Sequence, residues 1–99
     1  MKVLRSLRMP VSLMNKFDDL PITRSGAICQ ALINAGKDPE LLVVALRYRM
    51  SRPDELNDCQ VSYRLDPKLV RTQEDLSRMT KLSGEIVVRL CMEAYIHNL

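Results

Sequence analysis

The chain has 99 residues, of which 46% are apolar and 27% charged, and its formal net charge is +3. This is the balance of a folded globular protein, and the length suits one small domain or two very small units sharing a core. Charges recur too often to leave the ~18 apolar residues of a membrane span, and MKVLRSLRMPVSL has neither a long apolar run nor a small-residue cleavage site, so a cytoplasmic protein without membrane contact is expected.

The first element, VLRSLRM, reads as a strand with Val3, Arg5, Leu7 and Met9 on one face and Leu4, Ser6 and Arg8 on the other. Its alternation is imperfect, because Arg5 falls on the apolar side and Leu4 on the polar side. A helix is expected from Val11 to Leu20, with Leu13, Phe17 and Leu20 on one face and Pro21 as its stop. Ser25 is the expected cap of a second helix, whose stripe is Ile28, Leu32 and Ala35 and whose terminator is Gly36. Asp38-Pro39 opens a third helix, DPELLVVALRYRM, ending near Met50, with Leu41, Leu42, Ala45, Leu46 and Met50 available to pack. That helix serves either as a structural connector or as a partner-binding element. Ser51-Arg52-Pro53-Asp54 then breaks the chain.

A second strand follows with clean alternation: Val61, Tyr63 and Leu65 against Gln60, Ser62 and Arg64. Asp66-Pro67 combines a cap residue with proline at the first helical position. The helix it opens runs to about Met79 and carries Leu69, Val70 and Leu76. Ser83 caps a last helix with Ile86, Val87, Leu90 and Ala94 on one side.

These parts repeat. Val3–Leu32 and Val61–Leu90 share a grammar rather than an identity: a strand ending in Arg plus an apolar residue (Arg8-Met9, Arg64-Leu65), a proline at the helix start (Pro10, Pro67), a helix closing in Asp-Leu (Asp19-Leu20, Asp75-Leu76), and a Ser-Gly turn (Ser25-Gly26, Ser83-Gly84). The offset is 56 residues at Leu20/Leu76 and 58 at Ser25/Ser83, so the first turn is expected to be two residues shorter. A lone strand leaves its amides and carbonyls without partners. Two strands in one chain can pair antiparallel, with helices behind them. The expected fold is mainly α with one two-stranded antiparallel ribbon, in the order β-α-α-α-β-α-α: a first repeat over 1–36, a helical linker over 37–58 and a second repeat over 59–99, within one compact domain.

In this order of parts VSYRLDPKLVRTQEDLSRMTKLSGEIVVRLCMEAY resembles a ribbon-helix-helix unit, the fold of the Arc and methionine repressors, and the first copy is a more degenerate version of it. Members of that family are mostly homodimers that donate one strand each. The resemblance implies a tandem, single-chain form, an intramolecular pseudo-dimer that binds double-stranded DNA. It further implies a transcriptional regulator, a repressor for instance, or a plasmid or phage accessory factor, working in the cytoplasm of a bacterial or phage-infected cell. Ser6 and Arg8 with Gln60, Ser62 and Arg64 would face base edges in the major groove, where arginine suits guanine and glutamine suits adenine. Leu4 either meets a thymine methyl or belongs to the core. Ser25 and Gly26, and Ser83 and Gly84, would hold phosphates at helix N-termini, with Arg24 and Lys81 adding attraction. Lys2 either reaches the backbone or is merely solvated. A second copy on adjacent DNA sites and a protein partner are further candidates, the latter in an inhibitor or antitoxin-like role for the same scaffold.

Other chemistry has little material to work with. Cys29, Cys59 and Cys91 lack CxxC spacing and His97 is the one histidine, so the cysteines read as reduced thiols and no metal or cofactor is expected. Asp18, Asp19, Glu74 and Asp75 lie on expected helix exteriors, where solvation accounts for them. The sequence therefore supports no enzymatic activity. The charge excess sits at the N-terminus, where Lys2, Arg5 and Arg8 face no acid within residues 1–9.

Overall fold

The computed structural model describes residues 1–50 and 56–98, residues 48–50 by backbone alone. The elements in chain order are β1 (Val3–Met9), α1 (Val11–Asp18), α2 (Arg24–Lys37), α3 (Glu40–Met50), β2 (Cys59–Leu65), α4 (Pro67–Thr80) and α5 (Gly84–His97). The chain is thus mainly helical with a two-stranded antiparallel sheet, in the expected order. The expected break at Ser51–Asp54 and the packing of Met50 lie outside the described residues. No helix among the described residues is long and apolar enough to cross a membrane.

β1 and β2 pair in a register that sets Val3 opposite Leu65, Ser6 opposite Ser62 and Met9 opposite Cys59. The inner face of the ribbon buries Leu7, Met9, Val61, Tyr63 and Leu65 against α2, α4 and α5. A two-stranded ribbon is marginal alone and needs such a backing. Arg5 shares the inner-face register, opposite Tyr63, yet it is exposed. The N-terminal half of β1 lies at the rim of the helical layer, and the Arg5 side chain lines a groove with Gln73, Glu74 and Arg78, so that its charge stays in water.

The helical layer centres on α5, which buries Val87, Val88, Leu90, Cys91, Met92, Glu93 and Ala94. Its largest contact is with α2. There Ala27, Ala31 and Ala35 allow close approach and Ile28 and Leu32 fill the core. Phe17 of α1 meets Tyr95 of α5 with ring centroids 6.0 Å apart, within the favourable range for tilted aromatic pairs. Burial pushes the Cys91 thiol up to about 12, so this cysteine behaves as a small apolar residue.

Several expected boundaries move. α1 ends at Asp18, with Asp19 as its cap, rather than at Leu20. The residue before a proline is driven out of helical conformation, and Pro21 acts through Leu20. α2 begins at Arg24 with Thr23, not Ser25, as its cap: the Thr23 hydroxyl accepts from the Gly26 amide at 3.1 Å. Thr23 and Ser83 are 60 residues apart, so the first repeat is shortened by four residues, not two, between its strand and its second helix. Gly36 does not terminate α2, which continues to Lys37, and no glycine has positive φ. The reason for glycine is proximity, since a Cβ at 36 would stand 3.0 Å from Thr72 Cγ2 of α4. Asp66 holds the cap position of α4 without a side-chain capping bond, while Pro67 takes the first helical position as expected. In α3, Leu42 and Ala45 are buried, but Leu46 is exposed and Leu41 only half-buried.

Leu32 is fully buried between the main helices. Leu32→Ala is expected to cost ~2–5 kcal/mol in urea unfolding, whereas Leu4→Ala, on an exposed position, should stay within ~0.5 kcal/mol. Equal effects would contradict the assignment of the core.

Candidate nucleic-acid interface

The outer face of the ribbon is set by strand geometry alone. Because side chains alternate, Leu4, Ser6 and Arg8 of β1 emerge on the side opposite the core, as do Gln60, Ser62 and Arg64 of β2, and all six are exposed. They form three cross-strand pairs, Leu4 with Arg64, Ser6 with Ser62 and Arg8 with Gln60. Each row of three spans ~13 Å along its strand, and facing Cβ atoms lie ~5 Å apart. The two arginines stand at opposite ends of this face and on opposite strands. A half-turn about the Ser6–Ser62 pair exchanges Arg8 with Arg64, in agreement with the 56-residue spacing of the strand repeats. The same half-turn exchanges Leu4 with Gln60, so the face is apolar at one corner and amide-bearing at the other.

Neighbouring helices hold the ribbon backbone at both arginines. The Arg8 amide donates to Glu85 Oε1 at 2.7 Å, and Arg89 Nη1 donates to the Arg8 carbonyl at 2.8 Å. Glu85 and Arg89 are one helical turn apart on α5, so one face of that helix supplies both partners. At the other end Cys29 Sγ of α2 donates to the Arg64 carbonyl at 3.6 Å. Burial raises the Cys29 thiol above its ordinary value, which favours the protonated form that donates this bond. At the start of α1, where Pro10 has no capping side chain, Asp58 Oδ1 accepts from the Val11 amide at 3.3 Å.

The expected phosphate contacts are less uniform. Lys2 is exposed just before β1. Arg24 does not stand free as expected: Nε and Nη2 donate to the Asp18 carboxylate at 2.6 and 2.9 Å. The bidentate geometry fastens the α1–α2 turn and partly neutralises the cation. The hydrogen bond from Arg24 holds the Asp18 carboxyl below its ordinary range, and Asp18 in turn raises Arg24. Ser25 is half-buried in the first turn of α2, past the cap, and the Gly26 amide is occupied by Thr23. The cap of α2 expected at Ser25 is therefore Thr23.

At α5 the expected cap is in place. Ser83 is the cap, accepting from the Ile86 amide at 3.3 Å, and Lys81 is exposed in left-handed conformation (φ 59°) at the end of α4. The α4–α5 turn is tied down by Thr80, whose hydroxyl donates to the Leu76 carbonyl at 2.7 Å and accepts from the Leu82 amide at 3.3 Å. The space a Cβ at Gly84 would need is filled by Gln73, with Nε2 2.7 Å away. Glycine here makes room for the α4 side chain. A groove of about 430 Å³ passes this point, lined by Arg5, Gln73, Glu74, Ser77, Arg78 and Gly84.

Several participants were not anticipated. Thr23 could have been found by its cap chemistry, and Glu85 with Arg89 by their i, i+4 spacing. No sequence signal points to Cys29. Among the described residues no group of three or more His, Cys, Asp or Glu could hold a metal ion. Comparison with family models, with curated proteins and with solved structures gives no match.

Asp18 is expected to titrate below the ordinary aspartate range in a carboxyl NMR titration, and Arg24→Gln should return it to that range. The folded-state value is depressed, so the stabilisation by the pair is present above the unfolded-state value and disappears as pH falls through the lowered one. A normal titration in the unsubstituted chain would show that the pair does not form.

Proposed function

We propose that this chain is a tandem ribbon-helix-helix protein, an intramolecular pseudo-dimer that binds double-stranded DNA by laying its ribbon in the major groove, as a transcriptional regulator or a plasmid or phage accessory factor. The observation that carries this reading is the outer ribbon face: six exposed side chains in three pairs, with Arg8 and Arg64 exchanged by a half-turn about Ser6–Ser62. The major groove is ~12 Å wide and accepts a two-stranded ribbon. Arginine there offers a fork to guanine O6 and N7, and Gln60 suits adenine N6 and N7. The contact of α2 with α5, the second helices of the two repeats, supports the pseudo-dimer part of the proposal.

Backbone attraction would come from the Ser83 cap and Lys81 at the α4–α5 turn and from Arg5 and Arg78, which line a groove with Gly84, Arg78 being shared with Asp75. Amides at a helix N-terminus carry partial positive charge. Glu85 opposes this with a carboxylate in the first turn, but that carboxylate accepts from the Arg8 amide. Each half shares one arginine with a carboxylate, Arg24 with Asp18 and Arg78 with Asp75. A modestly electrostatic complex follows.

A protein-binding role for the same scaffold is the second reading. Leu4 favours it, being 66% exposed on a face otherwise built of polar groups.

Selection from a random duplex library should recover a consensus, and Arg64→Ala should relax it at one base position at a cost of ~1–3 kcal/mol. The logarithm of the binding constant should fall with that of salt with a slope of about −3 to −6, at ~0.9 per phosphate neutralised. No mobility shift on random duplex at micromolar protein and low salt would overturn DNA binding and favour the second reading.

A further inference from the structure

α3 is apolar on two sides, and the other described residues cover only one. Leu42 and Ala45 are buried in the core, and α3 packs chiefly on α5, with a smaller contact to α2. On the opposite side Val43 is 52% and Val44 57% exposed. A helix with apolar residues on both sides is ordinarily buried on both.

The exposed side has a definite order. Glu40, Val43, Val44 and Arg47 occupy positions i, i+3, i+4 and i+7, which share one face of a helix, and all four are exposed. The row reads acid, valine, valine, base. Reversed end for end, it is its own complement. An antiparallel copy centred between Val43 and Val44 sets valine against valine and brings Glu40 to Arg47 at both ends. It also opposes the two helix dipoles favourably.

We propose that this stripe is a homodimer surface, on which α3 of a second copy of this chain packs antiparallel about a twofold axis passing between Val43 and Val44. In such an isologous contact every favourable pair occurs twice. Short branched side chains at the crossing point permit a close interaxial distance of ~8–10 Å. The apolar area extends beyond the stripe. Leu46 is 38% and Met79 64% exposed, and both line a groove of about 440 Å³ between α3 and the end of α4. Charge order selects the occupant. A nucleic acid is repelled by Glu40 and gains nothing from the valines, whereas the matching row of opposite order is supplied by the chain itself.

The test is sedimentation equilibrium of the full chain without DNA, from micromolar to millimolar concentration. A monomer–dimer equilibrium is expected. Val44→Asp should raise its dissociation constant by about a hundredfold or more, because it sets two carboxylates into the apolar centre. Glu40→Arg and Arg47→Glu should each weaken it by roughly tenfold, since each creates two like-charge contacts. An equimolar mixture of these two variants should associate better than either alone, because every acid then meets a base. All three positions are exposed, so circular dichroism should show an unchanged fold. A chain monomeric to millimolar concentration, a dimer indifferent to Val44→Asp, or a mixture no better than its components would each overturn the proposal. Stoichiometric binding of a different protein by a monomeric chain would count among these failures.

Discussion

The backbone pairing between Val3–Met9 and Cys59–Leu65 is the constraint on which the rest of the molecule depends. Neither strand can satisfy its own amides and carbonyls, and neither has another strand to turn to among the described residues. Their register decides which side chains enter the core and which face outward, because a slip of one residue would exchange the two sets on one strand. Leu7, Met9, Val61, Tyr63 and Leu65 on the inner face resist such a slip. Burial drives the Tyr63 phenol above its ordinary value, as suits a ring enclosed by the helical layer.

The helices do more than cover the ribbon. Glu85 and Arg89 from α5 and Cys29 from α2 bond to the backbone at Arg8 and Arg64, the two residues whose side chains end the outer face. The supports are chemically unequal, a carboxylate and guanidinium at one end and a thiol at the other. The shortened α1 belongs to the same asymmetry. The half built from β1, α1 and α2 has an 8-residue first helix and a threonine cap, while the half built from β2, α4 and α5 has a 14-residue first helix and a serine cap.

The legible features were those governed by nearby residues. QVSYRL alternates cleanly because the inner side of β2 is continuously buried, and Asp66-Pro67 marked a helix start because proline fits the first turn whatever surrounds it. The outer ribbon residues followed from alternation alone. The errors arose where a distant residue decides. Gly36 resembled a terminator, but its lack of a side chain answers to Thr72 in another helix. Ser25-Gly26 resembled Ser83-Gly84, but the compressed first turn brought Thr23 to the cap. Arg24 is an expected phosphate contact and Asp18 an expected solvated carboxylate, but the folded α1–α2 turn brings the two together.

β1 opens at Val3 and its partner β2 begins only at Cys59, after three helices, and this has a consequence for how the molecule comes into being. During synthesis β1 emerges with its backbone unsatisfied and must wait while α1, α2, α3 and the connection to β2 are made. Closing so long a loop carries an entropic cost that the helical layer has to offset, and pairing of this kind is characteristically slow. The outer face consequently depends on both strands: fraying at either end of the ribbon removes one of its three cross-strand pairs. Whatever the surface recognises, its presence reports that the whole chain, from first strand to last helix, has reached the native state.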